Sequence, residues 1–225
     1  FMTGKYPQGH GVWENCNSIS APFGYELIET AQTWSDILKN QGYSLGYIGK
    51  WHLDSPYEPY INTSNNSGII KWNEWTPPYR RHGFDFWYAY GTYDHHSKPM
   101  YWTTNAHRNS FNYVNQWGPE HEADLAIKYI KNEKHNYRDP SQPFALMVSM
   151  NPPHMPYAAV KDQYKDIYAE LPLEDFIQRP NIPTEGTKWG DYYRKHIRNY
   201  YAMITGVDEQ FGRILNVLEE TGLEE

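Results

Sequence analysis

Apolar side chains recur at helical spacing in three stretches of the chain and gather into short strand-like runs in three others. After Thr33, the positions Trp34, Ile37 and Leu38 predict a helix with Gly42 as its C′ residue. Tyr43-Ser44-Leu45-Gly46-Tyr47-Ile48 is aromatic and partly β-branched and runs into Gly49, so it predicts a strand with Lys50 and His52 just past its C-terminal end. Gly83 to Tyr90 predicts a second strand. Pro119 to Lys134 predicts a helix: Pro sits in the first turn, Glu120 and Glu122 suit the positive end of the dipole, and Ala123, Ala126, Ile127 and Ile130 share one face. Phe144 to Met150 is nearly continuous in apolar residues, as for a central strand covered on both faces, and Asn151-Pro152-Pro153 stops it because proline cannot continue a ladder. Ile197, Tyr200, Tyr201, Ile204, Val207, Phe211, Ile214, Leu215 and Leu218 predict a long amphipathic helix ending at Gly222. Residues 54–78 and 91–117 read as surface insertions and residues 157–189 as a charged loop. The alternation argues for an α/β fold, a mostly parallel sheet flanked by helices with long loop insertions. Ligands then lie at the C-terminal ends of the strands.

Composition narrows the class. Hydrophobic residues make up 39% of the 225 and aromatics 17%, so the chain folds, and its length suits one domain. Nine Trp and twenty-one Tyr read first as half-buried packing residues with polar tips and second as a surface for stacking sugar rings. A net charge of -7, from 20 basic and 27 acidic residues, leaves no basic stripe and points away from nucleic acid. An anionic ligand would have to be met by locally concentrated Lys, Arg and His. Cys16 is the only cysteine, which excludes an internal disulfide and a multi-thiolate zinc site. No apolar run approaches the length of a membrane span. The chain starts at Phe1 and stops just after a helical pattern, so residues 1–225 are expected to be a single incomplete domain, cut at both ends.

Two groups of residues could carry chemistry. Lys50 and His52 lie two apart, so in extended chain an ammonium and an imidazole point to one side and could grip an anion. Taken alone, they describe equally a solvated lysine and a packed histidine at a strand end. His154 alone is an ordinary loop histidine, but all three fall at strand C-termini of one sheet. His95-His96, with Trp102 nearby, read as loop residues first and as a substrate rim second. Adjacent residues face opposite ways, which argues against a paired metal site there. His121-Glu122-Ala123-Asp124 reads as a dipole-favoured helix start and Asp208-Glu209 as a polar helix face. Asn62 and Asn65 match the glycosylation pattern, as an Asn/Ser-rich loop does by composition.

Longer segments resemble a known family. Gly42-Tyr43-Ser44-Leu45-Gly46-Tyr47-Ile48-Gly49-Lys50-Trp51-His52-Leu53, Thr3-Gly4-Lys5-Tyr6-Pro7, His10-Gly11-Val12, Pro152-Pro153-His154-Met155-Pro156 and the helix Tyr200-Tyr201-Ala202-Met203-Ile204-Thr205-Gly206-Val207-Asp208 resemble, in order, segments of the sulfatase family of the alkaline phosphatase-like superfamily. The resemblance implies a sulfuric ester hydrolase whose nucleophile is a formylglycine made from Cys or Ser, acting with calcium. The residue matching Lys50 contacts nucleophile and sulfate, that matching His52 serves as base, and that matching His154 bonds a sulfate or leaving-group oxygen. The family's Cys/Ser-x-Pro-x-Arg motif belongs before Phe1. Cys16, followed by Asn17-Ser18-Ile19, does not replace it, and the acidic calcium ligands are likewise outside this sequence. The segment by itself is therefore expected to be inactive.

The resemblance also implies a sulfated small molecule or glycan as substrate and a periplasmic or secreted location. Two other readings stay open: a phosphodiesterase or phosphonate hydrolase of the same superfamily, and a non-catalytic module that binds sulfated glycans.

Overall fold

The computed structural model describes residues 1–223. Five strands, β1 (Ser44–Lys50), β2 (Phe86–Tyr90), β3 (Met100–Thr103), β4 (Asn112–Tyr113) and β5 (Phe144–Ser149), form one sheet in the order β4-β3-β2-β1-β5. Helices α1 (Pro7–His10), α2 (Trp34–Asn40), α3 (Gly118–Lys131), α4 (Asp162–Ala169) and α5 (Lys188–Thr221) accompany it. β1 pairs in parallel with β2 and β5, while β3 and β4 add an antiparallel wing.

The period of the strands assigns two faces. Tyr47 lies opposite Trp87 and Met147, and these pack with Leu45, Trp51, Phe84 and the α2 residues Trp34 and Leu38. Ile48 lies opposite Tyr88 and Val148 on the other face, against Ala123, Ala126 and Ile130 of α3 and Ile214 and Val217 of α5. α2 starts where expected because Thr33 and Asp36 form a reciprocal capping box, each side chain accepting from the other's backbone N–H.

Gly49 is indispensable to the central ladder. Its φ is +104°, and a Cβ there would lie 2.2 Å from the carbonyl oxygen of Ser149 on β5. The close approach of β1 and β5 sets the spacing between the two strand ends that carry Lys50 and Asn151.

α3 and α5 run side by side in the same direction. Three contacts establish it: Trp117 against Gly206, Asp124 with Arg213, and Lys131 with Glu220 at 3.4 Å. Tyr129, near the end of α3, bonds the carbonyl of Ser44 at the start of β1 at 3.3 Å. His121, near its start, meets Tyr88 at the middle of β2 at 2.9 Å, farther along the strand direction than Ser44 on β1. Both helices therefore run antiparallel to the parallel strands.

The structure departs from the sequence expectations in five places. The 91–117 insertion contains β3 and β4, and the 157–189 loop contains α4. α3 ends at Lys131 because Asn132 turns left-handed (φ 46°) and its side chain bonds the backbone of Tyr137 and Arg138. α5 begins at Lys188, with Thr187 accepting from the Gly190 N–H, well before the first aliphatic repeat. β5, read as a central strand, is the end strand of the described sheet and half-buried along its length. With Phe211, Ile214, Leu215 and Leu218 it lines an open apolar cleft of about 1040 Å³.

Candidate active site at the strand ends

Lys50 closes β1 and His52 follows after Trp51, whose N–H still bonds the Tyr90 carbonyl at 2.8 Å. His52 does not continue the extended chain. Its φ is +50°, so the turn begins there and strand alternation does not by itself fix where its ring points. Its Nε2 lies 2.9 Å from the carbonyl oxygen of Cys16, which can only accept, so Nε2 carries the proton and Nδ1 keeps a free lone pair. Burial, and next the neighbouring Lys50 charge, lower the His52 pKa to about 4. The imidazole is neutral at neutral pH.

Lys50 Nζ donates to Asn151 Oδ1 at 3.1 Å. Burial lowers the Lys50 pKa and Asp94 opposes that shift. Asn151, itself buried, donates through Nδ2 to the Tyr93 carbonyl at 3.1 Å and to Asp94 Oδ1 at 3.2 Å. The same Asp94 oxygen lies 3.6 Å from His154 Nδ1, and its other oxygen accepts from Asn65 at 3.0 Å. Asn151 and Asp94 thus tie the end of β1 to the loop after β5. The sequence pattern marked Asn151 only as part of the stop that ends β5 and did not single out Asp94; the pairing of β1 with β5 and with β2 brings the two to Lys50.

His154 is solvent-accessible. Its Nδ1 faces two acceptors, the Met155 carbonyl at 2.8 Å and Asp94, so Nδ1 carries a proton and Nε2 is the atom free to meet a ligand.

The three residues expected at a substrate rim separate. His95 is exposed beside Asp94, Asn65 and Lys98 in a cleft of about 330 Å³. His96 is 3% exposed, and its Nε2 donates to the backbone carbonyl of His154 at 2.9 Å, so it holds the His154 loop from below. Trp102 is 1% exposed, packed among Tyr90, Tyr93, Met100 and Tyr101, with its Nε1 on the Arg108 carbonyl. The substrate-rim expectation fails for Trp102 because it sits on β3, a strand the sequence pattern did not disclose.

Cys16 is fully buried, and burial pushes its thiol up to about 12, so it is no nucleophile. Among the described residues, no group of three or more His, Cys, Asp or Glu side chains is placed to hold a metal ion. The described helices include none long and apolar enough to cross a membrane.

The family model described as Sulfatase matches residues 1–225. The chain is 38% identical to a Bacteroides thetaiotaomicron protein named endo-4-O-sulfatase, over 99% of this chain and 43% of that protein. It is 29% identical to an ulvan-active sulfatase of Formosa agariphila, over 100% of this chain and 37% of the relative. A solved structure from Bacteroides fragilis matches at TM-score 0.93 and 60% identity, over 99% of this chain and 47% of the other. Another, described under the metabolism of multiple glycosaminoglycans by Bacteroides thetaiotaomicron, matches at TM-score 0.88 and 37% identity, over 99% and 45%. The chain spans less than half the length of these relatives.

Proposed function

Because this chain belongs to the sulfatase family, we propose that the protein containing it hydrolyses sulfate monoesters of carbohydrates, with Lys50, His52 and His154 gripping the ester. The observation that carries the reading is the convergence of a cation, a neutral imidazole with a free lone pair, and an accessible imidazole at the ends of β1 and β5. The carbohydrate part rests on the relatives, one named for 4-O-sulfate removal and one for activity on ulvan.

A formylglycine, whose precursor lies outside this sequence, would supply the nucleophile towards sulfur. The residues in hand do the rest. Lys50, held by Asn151, places a positive charge where sulfate oxygens gain negative charge in the transition state. His52, kept neutral by burial and oriented by the Cys16 carbonyl, takes a proton at Nδ1. His154 keeps Nδ1 on the Met155 carbonyl and presents Nε2 to the ester. In its imidazolium form it donates a proton from Nε2 to the leaving alcohol oxygen, and the Asp94 carboxylate compensates the ring charge. No calcium step is assigned.

The test is sulfate release from a 4-O-sulfated glycosaminoglycan oligosaccharide by the full-length protein and its Lys50→Ala, His52→Ala and His154→Ala variants. Each substitution is expected to lower kcat by roughly 10²–10⁴-fold. Turnover unaltered by all three would refute the assignment.

A further inference from the structure

α5 does two different things along its 34 residues. Its second half packs beside α3 from Gly206 onward, with the Trp117 ring against Gly206 at the level where α3 begins. Both helices run antiparallel to the parallel strands, so residues 188–205 continue past the sheet on the side where the strands end. That is about 27 Å of helix standing over the Lys50 and His154 side of the molecule. α4 braces its base, with Tyr168 OH on Thr205 Oγ1 at 2.6 Å and, just beyond, Tyr164 OH accepting from Gln210 at 3.2 Å.

The projecting half carries a cleft of about 370 Å³ lined by Tyr157, Pro183, Trp189, Tyr192, His196 and Tyr200. Tyr157 is the hinge with the site: it follows His154 by three residues, at most about 11 Å of chain. Its ring lies 5.4 Å from His196, 5.9 Å from Tyr200 and 6.4 Å from Tyr192. Trp189 is 61% exposed, and the Lys188 ammonium lies 4.9 Å from its ring centre.

The chemistry of this cleft differs from that of the apolar cleft beside β5. There the lining is mostly Leu, Ile, Val, Met and Phe, side chains with no polar tip, and Trp34 and Ser149 alone bring a polar group. Here nearly every ring carries a hydroxyl or ring nitrogen at its edge. Aromatic faces edged by hydrogen-bonding groups suit a pyranose, which offers a C–H face to a ring and hydroxyls around its rim. The lining from Trp189 to Tyr200 extends about 17 Å along the helix, longer than one sugar ring, and Lys188 adds a cation suited to an acidic sugar.

We propose that the first half of α5, with Tyr157, is a glycan subsite that stacks an unsulfated ring of the same oligosaccharide whose sulfate ester lies at Lys50 and His154. This rests on the sulfatase reading of that site. The subsite makes the protein prefer a chain over a monosaccharide ester.

The experiment compares the full-length protein with a Trp189→Ala, Tyr192→Ala double variant on a 4-O-sulfated chondroitin tetrasaccharide and on 4-nitrophenyl sulfate. Both side chains are exposed, so truncation leaves the core intact. The KM for the tetrasaccharide is expected to rise about tenfold, the loss of one stacking contact, with kcat and aryl sulfate turnover unchanged. The Trp189→Phe, Tyr192→Phe variant retains most of the affinity. An unchanged tetrasaccharide KM, or an equal loss on both substrates, would overturn the proposal. Calorimetric titration with the desulfated tetrasaccharide separates this from the reaction itself. Should no sulfate be released by the wild type, binding weakened about tenfold in the double variant still supports the subsite, and equal or absent binding overturns it.

Discussion

Glu122 offers a quantitative test of how this core is built. It lies in the first turns of α3, where its sequence position suggests a solvated carboxylate favouring the helix dipole. Instead it points inward and is 1% exposed, with Oε1 accepting from Tyr101 OH at 2.9 Å and Oε2 without a partner. Burial raises its pKa from the ordinary 4.5 to about 8, and the Tyr101 hydrogen bond only partly opposes this. The folded state therefore holds the proton more tightly than the unfolded chain. The stability this contributes is complete below pH 4.5 and is lost as pH rises through about 8. At 1.36 kcal/mol per pKa unit the full loss is about 4 to 5 kcal/mol, of which about 3 kcal/mol is already gone at pH 7. Glu122→Gln keeps an acceptor for Tyr101 and has no proton to lose. Urea unfolding of the full-length protein and the variant should show the stability difference growing in favour of Gln by about 4 kcal/mol between about pH 5 and pH 8.5. A difference that stays constant across that range would show that Glu122 is not buried as a neutral acid.

Three further outcomes follow from single contacts. Gly49→Ala forces a Cβ against the Ser149 carbonyl at a left-handed φ and should cost about 3 kcal/mol of stability, read as a fall in Tm; an unaltered Tm would mean that β1 and β5 are not so close. Asn151→Leu removes the acceptor that holds Lys50 and should lower kcat/KM on a sulfate ester about 10²-fold; an unaltered kcat/KM would show that Asn151 does not place the Lys50 ammonium. In the NMR spectrum the His52 ring should stay neutral until pH falls to about 4, and a midpoint near the ordinary histidine value would contradict its burial beside Lys50.

Much of the fold is written in local pattern. β1, β2, β5, α2 and the second half of α5 follow from the period of their apolar residues, because burial of one face or stripe dictates that period. β3 and β4 escape it: they are short, and their Trp, Tyr and Met residues pack through rings whose polar tips blur the alternation. The first nine residues of α5 escape it too, since Trp189, Tyr192 and His196 line an aromatic cleft instead of joining an aliphatic core.

The site divides in the same way. Lys50, His52 and His154 are legible in sequence because each ends or closely follows a strand, and a strand's C-terminal end can be located from its apolar run and the Gly or Pro that stops it. What the linear chain determines is thus which groups are carried to the edge of the sheet. It does not determine their state. Asn151 lies 101 positions from Lys50 and Asp94 another 57 from Asn151, so their hydrogen bonds exist only once β1 is paired with both β5 and β2. The neutrality of His52 and the burial of Trp102 and His96 also arise from long-range packing. Protonation, tautomer and exposure depend on desolvation by distant neighbours, and those neighbours are assigned by the tertiary structure alone.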